Sequence, residues 1–570
     1  MKKPLLISLA AAALLTGNLN AASMFDRMTE METEMKSLQT ELAEVKAAKT
    51  AEAEEADADE DEEADDTDDE DADESDEDDD EDDEDDEDDI EESLEYVDSK
   101  ISELNKATNG NHLKFGVDFR TSVDNLQYKM ADGSKQKNNA LFTNRLWLNM
   151  NWAATDNLSF TGQLAYNKAY GARSGYSGQI AGMETFDWIT NENPYDDVVR
   201  VRSAYFFYRD SDAMIPWTFS IGRRPSTNGH LINLRDDDTA ASPMGHNINV
   251  EFDGASAKFT VYEDWGTYFK FCAGRGGSNA NPKFFSVDPT RNNQVSVTAP
   301  YSTDTQDLPN IDLGGIIFVP YNDGQYSIGT QYYYANNLID AKAMNPILKD
   351  GTVPGPTNPP SLTNPVVGQG FNGMESVGGM HALTANFMIN GIGDDWGDYL
   401  EDTTFFASAA MSITDPDKDS SQGMLGDSSY NKQGQIVYNK ENWHIKKGYS
   451  YWIGLQVPSL ITDDGKWGVE YNHGSKYWRS ITYAEDTLAG SKIATRGSAY
   501  EVYLTEPIVG KYLTFQVRYT YLDYDYSGSN GFFGTTTGSA TKIGDLTPQT
   551  GSTVTVDTAQ DIRAYIRYRY

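Results

Sequence analysis

Cysteine is almost missing from this chain of 570 residues: Cys272 stands alone, so no internal disulfide contributes to stability. Beyond the first residues there is no unbroken apolar run of the roughly 20 residues a spanning helix needs. The mean hydropathy of −0.59 agrees, and helical membrane spans are excluded on these grounds. Histidine is scarce and scattered, since His112, His230, His246, His381, His444 and His473 show no metal-ligand spacing. No glycine loop of the phosphate-cradling kind follows a strand and opens a helix. Without a nucleophile, base and orienting group, a metal cluster or a cofactor motif, the sequence carries no positive sign of catalysis. An enzyme, a cofactor and a nucleic-acid partner are therefore not expected.

Basic residues are outnumbered, 45 against 90 acids, for a formal net charge of −45. About 33 of those acids fall between Glu52 and Glu92, which leaves about −12 for the rest, an ordinary value for so long a chain. Residues 51–89 are too charged and too poor in apolar groups to offset the entropy of ordering them, and read as a disordered acidic spacer. Dense carboxylates could gather Ca²⁺, but the glycine-containing spacing of a Ca²⁺ loop is absent.

Ahead of the spacer, Lys2 and Lys3 precede the apolar run Leu5–Leu15 and the small-residue segment Leu19-Asn20-Ala21-Ala22, the pattern of a cleavable secretory signal over residues 1–22. Residues 23–50 then carry Met24, Met28, Met31, Met35, Leu38, Leu42 and Val45 at alternating spacings of four and three, a heptad seam. A helix otherwise so charged has little to bury except that stripe, so the seam predicts a homo-oligomer. The same spacing returns over residues 90–107 at Ile90, Leu94, Val97, Ile101 and Leu104, a second short coiled-coil helix.

From Asn111 the pattern changes to period two. Phe115, Val117 and Phe119 alternate with Gly116, Asp118 and Arg120, and about sixteen such runs follow one another to Tyr570. Connections sort by parity: Thr155-Asp156-Asn157, Asn322-Asp323-Gly324 and Thr462–Gly465 are short, whereas Ala172–Asp197, Pro225–Ile248, Arg275–Asn310, Asn337–Ser376, Asp415–Lys447, Trp478–Ser498 and Asp525–Ala559 are long. Tight turns at one end and large loops at the other are what a transmembrane barrel has. The fold expected for residues 111–570 is thus an all-β, antiparallel transmembrane barrel of about sixteen strands, with both ends in the periplasm and the loops outside. Outer-membrane lipid and lipopolysaccharide are its expected surroundings.

The final run, Ile562 to Tyr570, places Ile566, Tyr568 and Tyr570 on one face and ends on an aromatic. This resembles the C-terminal signature of bacterial outer-membrane barrels that is read by the barrel assembly machinery, most of which end in Phe. Lys114–Arg120, Ile221-Gly222-Arg223-Arg224-Pro225-Ser226, and Arg496-Gly497 through Tyr519 to Asp525 resemble an uncharacterised, porin-like outer-membrane family of epsilon-class bacteria. The resemblance implies location, fold and, as in porins, a trimer; it implies no substrate.

Strand phase assigns the charges. A lipid-facing Arg near the midplane costs roughly 2 to 4 kcal/mol, so Arg120, Arg145, Arg200, Arg202, Arg518, Arg563 and Arg567, each alternating with outward apolar residues, are expected in the lumen. Together with Arg224 they lie on neighbouring strands and would form a basic, pore-lining arc that focuses anions. By analogy with general porins, whose third loop folds inward, the third long external connection, Pro225–Ile248, would bring Asp236, Asp237 and Asp238 opposite Arg120, Arg145, Arg200 and Arg202 as a constriction. A solvated external loop is the plainer alternative. The expected function is passive passage of small hydrophilic solutes, with a structural or adhesive outer-membrane protein as the competing class.

Overall fold

The computed structural model describes residues 113–570 outside 171–198, 278–285, 289–293, 297–307, 342–344, 354–356, 371–373, 394–397, 422–423, 426–427, 431–435, 439–442, 483–484, 529–539 and 547–554. The expected signal (1–22), the helices 23–50 and 90–107, the seam from Met24 to Val45 and the spacer 51–89 all lie outside the described residues.

Sixteen strands close into one antiparallel barrel in chain order. They are β1 Leu113–Met130, β2 Lys135–Ala153, β3 Leu158–Ala169, β4 Arg200–Asp210, β5 Trp217–Arg224, β6 Phe252–Tyr262, β7 Thr267–Gly277 and β8 Ile311–Asn322. The series continues with β9 Tyr326–Ala341, β10 Met374–Asn390, β11 Thr404–Pro416, β12 Lys447–Pro458, β13 Lys466–Gly474, β14 Gly497–Val509, β15 Leu513–Tyr524 and β16 Val556–Arg569. β16 returns to β1 with Ile566 opposite Thr121 and Arg567 opposite Arg120, so no strand edge is left open.

Side chains follow the strand period of two. On β12, Tyr449, Tyr451, Ile453 and Leu455 point outward and are exposed, while Ser450, Trp452 and Gln456 point inward and are buried. On β14 and β15 the outward Tyr500, Val502 and Tyr519 alternate with buried Glu501, Gln516 and Arg518. Large apolar side chains are thus outside and charges inside, the reverse of a water-soluble domain.

At one end six of the seven connections are short and the seventh, 391–403, carries the small helix Asp398–Glu401, whereas at the other end seven of the eight are long. The exception is the turn 131–134, where Gly133 takes a left-handed φ of 84°. Because β1 and β2 extend to that turn, Pro225–Ile248 is the third connection at its end but only the second long one, which corrects the count drawn from sequence. Three long connections carry small hairpins that strand periodicity did not reveal: Ser286–Asp288 with Gln294–Ser296, Asn345–Leu348 with Val366–Gly370, and Ser428–Tyr430 with Ile436–Tyr438.

Candidate functional site

Two of the long connections, 225–251 and 475–496, fold into the bore and meet there. Ile248 and Asn249 of the first pair in parallel with Ile481 and Thr482 of the second, and the Ile481 amide donates to the Asn247 carbonyl at 2.8 Å.

Loop 225–251 leaves β5, crosses the lumen and reaches the far wall. Met244, Ile248 and Val250 pack against Leu313, Ile317, Tyr333, Val377 and Met380 of β8 to β10. Leu231 and Ile232 pack on Phe406 and Trp452 of β11 and β12 and on Ile493 of the other loop. His246 shares hydrogen bonds with Ser408 at 2.8 Å and Ser450 at 2.9 Å, wedged edge-on between Trp452 and Trp478. Burial in that slot pushes the imidazole down to about 3, so it is neutral at pH 7. The path needs glycine at Gly229, where a Cβ would sit 2.0 Å from the Pro243 carbonyl oxygen.

The same loop carries a short 3₁₀ turn, Ile232–Asp236. Arg235 reaches Glu501 of β14 at 2.9 Å, and the Tyr565 hydroxyl donates to Asp236 at 2.8 Å. Asp238 accepts from Arg567 at 2.9 Å and from Arg569 at 3.1 Å. Asp237, in the left-handed region at the end of the turn, is exposed and pairs with Lys466 at 3.1 Å.

Loop 475–496 supplies the carboxylate that the arginines need. Glu485 and Asp486 both hold positive φ, 40° and 61°, a conformation that costs on the order of 1 to 3 kcal/mol per residue and persists only where surrounding contacts impose it. That turn aims Asp486 at three strands at once: Arg120 at 2.5 and 2.7 Å, Arg563 at 3.1 Å and Arg518 at 3.8 Å. Burial alone would raise its carboxyl, but the Arg120 and Arg563 guanidiniums more than offset this and hold it well below the usual carboxylate range. Nearby, Lys492 bridges Glu470 and Glu501, each at 2.6 Å.

The structure therefore gathers most of the arginines singled out by strand phase, but under the loops rather than along open water. Arg120, Arg145, Arg202, Arg518, Arg563 and Arg567 are buried. Arg145 stacks over Trp147 at 3.5 Å with Asp118 at 3.6 Å, and Arg567 is clasped by Asp118 at 2.5 Å. Arg563 is bonded to Asp124 on β1. Arg202 donates to Gln163 and Thr227. Arg224 is apart, held by Ser220 and Ser256, and Arg200 is exposed at the start of β4. The expected opposition of Asp236–Asp238 to Arg120, Arg145, Arg200 and Arg202 is replaced: Asp486 faces Arg120, and Asp236 and Asp238 sit beside Tyr565, Arg567 and Arg569. The physical reason is that close, like-charged arginines on β1, β2, β15 and β16 repel unless acids lie among them, and both loops deliver acids there.

A family described as "Protein of unknown function (DUF3373)" matches residues 135–570. The chain belongs to that family. No curated protein matches it. Among solved structures, it is similar to OmpT, an outer membrane protein of Vibrio cholerae, at 12% identity and a TM-score of 0.37, covering 80% of this chain and 97% of that one. OprB of Pseudomonas putida is matched at 12% identity and a TM-score of 0.39, over 82% and 96%. An anion-selective porin from Comamonas acidovorans is matched at 10% and 0.39, over 80% and 99%.

In this DUF3373 barrel, clefts remain around loop 225–251. One of about 680 Å³ is lined by Arg235, Asp237, Gln456 and Lys466, and another of about 610 Å³ by Asp118, Arg202, Asp238 and Arg567. On the β6–β7 wall, Lys258, Tyr268, Lys270 and Cys272 are half-buried. Sequence reading missed Asp486, Glu501, Lys258 and Lys270. The phase rule used for the arginines would have found the last three, because Glu501 alternates with outward Tyr500 and Val502, and Lys258 and Lys270 with outward Phe259, Phe269 and Phe271.

Proposed function

We propose that this chain is an outer-membrane channel of porin type, for small hydrophilic solutes, with a bore narrowed by loops 225–251 and 475–496. The observation that carries this reading is the inverted pattern: outward Tyr449, Tyr451, Ile453 and Leu455 against inward Glu470, Glu501 and Arg518. Such a surface is stable in lipid and sticky in water, and a closed barrel leaves no backbone group unpaired in a bilayer. In this reading residues 1–22 direct export, and the seam Met24–Val45 gathers the chains into an oligomer, a trimer by porin analogy, on the periplasmic side. Ile566, Tyr568 and Tyr570 serve as the assembly signal, a role supported by their outward, exposed positions. The buried arginines anchor the loops, while Asp237 and the half-buried lysines of β6 and β7 meet the solute.

A second reading, a structural or adhesive barrel with an occluded lumen, is favoured by one observation. Lumen-facing Gln331, Thr384, Ser408, Trp452, Glu470 and Arg518, spread around the wall, are all covered. Liposome swelling separates the two. Purified protein should form a heat-modifiable β-rich species in detergent and make liposomes permeable to small sugars or amino acids. A species that is water-soluble without detergent removes both readings, and a detergent-dependent barrel without permeability leaves the structural one.

A further inference from the structure

Between loop 225–251 and the inner wall of β6 to β10 lies a cavity of about 330 Å³. Its wall carries Lys258 of β6 and Lys270 of β7, which are direct cross-strand partners. Like charges placed opposite each other destabilise a sheet unless something neutralises them. No carboxylate lines the cavity, and among the described residues neither lysine has an acidic partner; Lys258 only rests over the Tyr268 ring at 4.3 Å. One step along the same face, Arg224 is held at Ser256, whose cross-strand partner is Cys272, so a third cation stands beside the pair. The contrast with the other side of the barrel is plain, where Arg120, Arg563 and Arg567 all have carboxylates.

The second observation is independent of charge. Asn386 of β10 and Ser327 of β9 line the same cavity, with only 4% and 8% of their surfaces exposed, and the Asn386 amide oxygen and nitrogen and the Ser327 hydroxyl have no hydrogen-bond partner. Leaving a buried polar atom unpaired is costly, so orphans that share a cavity point to a missing occupant.

From these features we infer that the cavity binds a phosphate-type oxyanion. Oxygens of the anion would accept from the Lys258 and Lys270 ammoniums, the Asn386 amide nitrogen and the Ser327 hydroxyl. A protonated phosphate oxygen also offers a donor to the Asn386 amide oxygen, which chloride cannot do. Under the channel reading this makes the β6–β7 wall a station for phosphate-bearing solutes, and in that respect the inference rests on the proposed function.

Binding can be read without conduction. The full-length barrel, purified in detergent, is titrated with radiolabelled inorganic phosphate at low salt by equilibrium dialysis. Saturable binding is expected, weakened roughly tenfold or more in a Lys258→Gln/Lys270→Gln variant and in Asn386→Leu, and unchanged in Lys129→Gln, which removes an exposed cation elsewhere. The heat-modifiable band on a gel identifies which variants are folded, and only those are compared. No saturable binding to folded wild type, or equal binding in the folded variants, overturns the site and leaves water as the occupant. Phosphate binding by a protein that passes no solute keeps the site and removes the channel reading instead.

Discussion

Arg120 and Asp486 lie 366 residues apart in the chain and meet in a two-pronged ion pair of 2.5 and 2.7 Å inside the barrel. The pair ties the tip of loop 475–496 to β1, next to the seam where β16 closes the cylinder. Removing one partner of a buried ion pair costs about 3 to 5 kcal/mol, because the other charge stays behind without compensation.

Asp486→Asn is therefore expected to release the loop tip without dissolving the barrel. Hydrogen exchange across residues 485–496 should accelerate, and the heat-modifiable band should persist. Unchanged exchange would mean that Lys492 with Glu470 and Glu501, not Asp486, holds the loop.

Acid should loosen the other loop through His246. Its folded value is pushed below that of a free imidazole, so the undocked state binds the extra proton, and docking strength is full above about pH 6.5 and falls as the pH drops toward about 3. The loss is about 1.4 kcal/mol per pH unit within that window. Protection of the 244–250 amides, measured against the intrinsic exchange rate at each pH, should drop between pH 7 and pH 5 in wild type and change much less in His246→Gln. A flat profile in wild type would show that His246 is not the group that senses acid.

Outward positions should report depth in a bilayer. Ile453, midway along β12, is expected to cost roughly 2 to 4 kcal/mol when changed to Lys, whereas Val509, at the end of β14, should cost about 1 kcal/mol or less. Reversible unfolding from lipid vesicles measures both. Equal costs at the two positions would contradict a bilayer centred on the strands.

The strands were legible because each reports itself locally. Phe115, Val117 and Phe119 fix the phase of β1, and a parity of loop lengths fixes the order. The inward direction of Arg518 and Arg563 followed from the same phase. What the sequence withheld is the lumen. Nothing local in Glu485-Asp486 marks it as the partner of Arg120, since the contact depends on a left-handed turn and on closure of β16 onto β1. Asp236–Asp238 stood out as a cluster, and the structure separates it: Asp236 and Asp238 turn to the wall, and Asp237 turns to Lys466. Loop folding is a long-range property, whereas period two is a short-range one.

Single-channel recording in planar bilayers, wild type beside Asp486→Asn, decides whether the barrel is an open channel narrowed by loop 475–496. Discrete steps are expected from wild type, small because two loops occupy the bore, with larger steps from Asp486→Asn as loop 475–496 leaves the wall. A heat-modifiable barrel that inserts yet gives no steps, in wild type and variant alike, would contradict a channel.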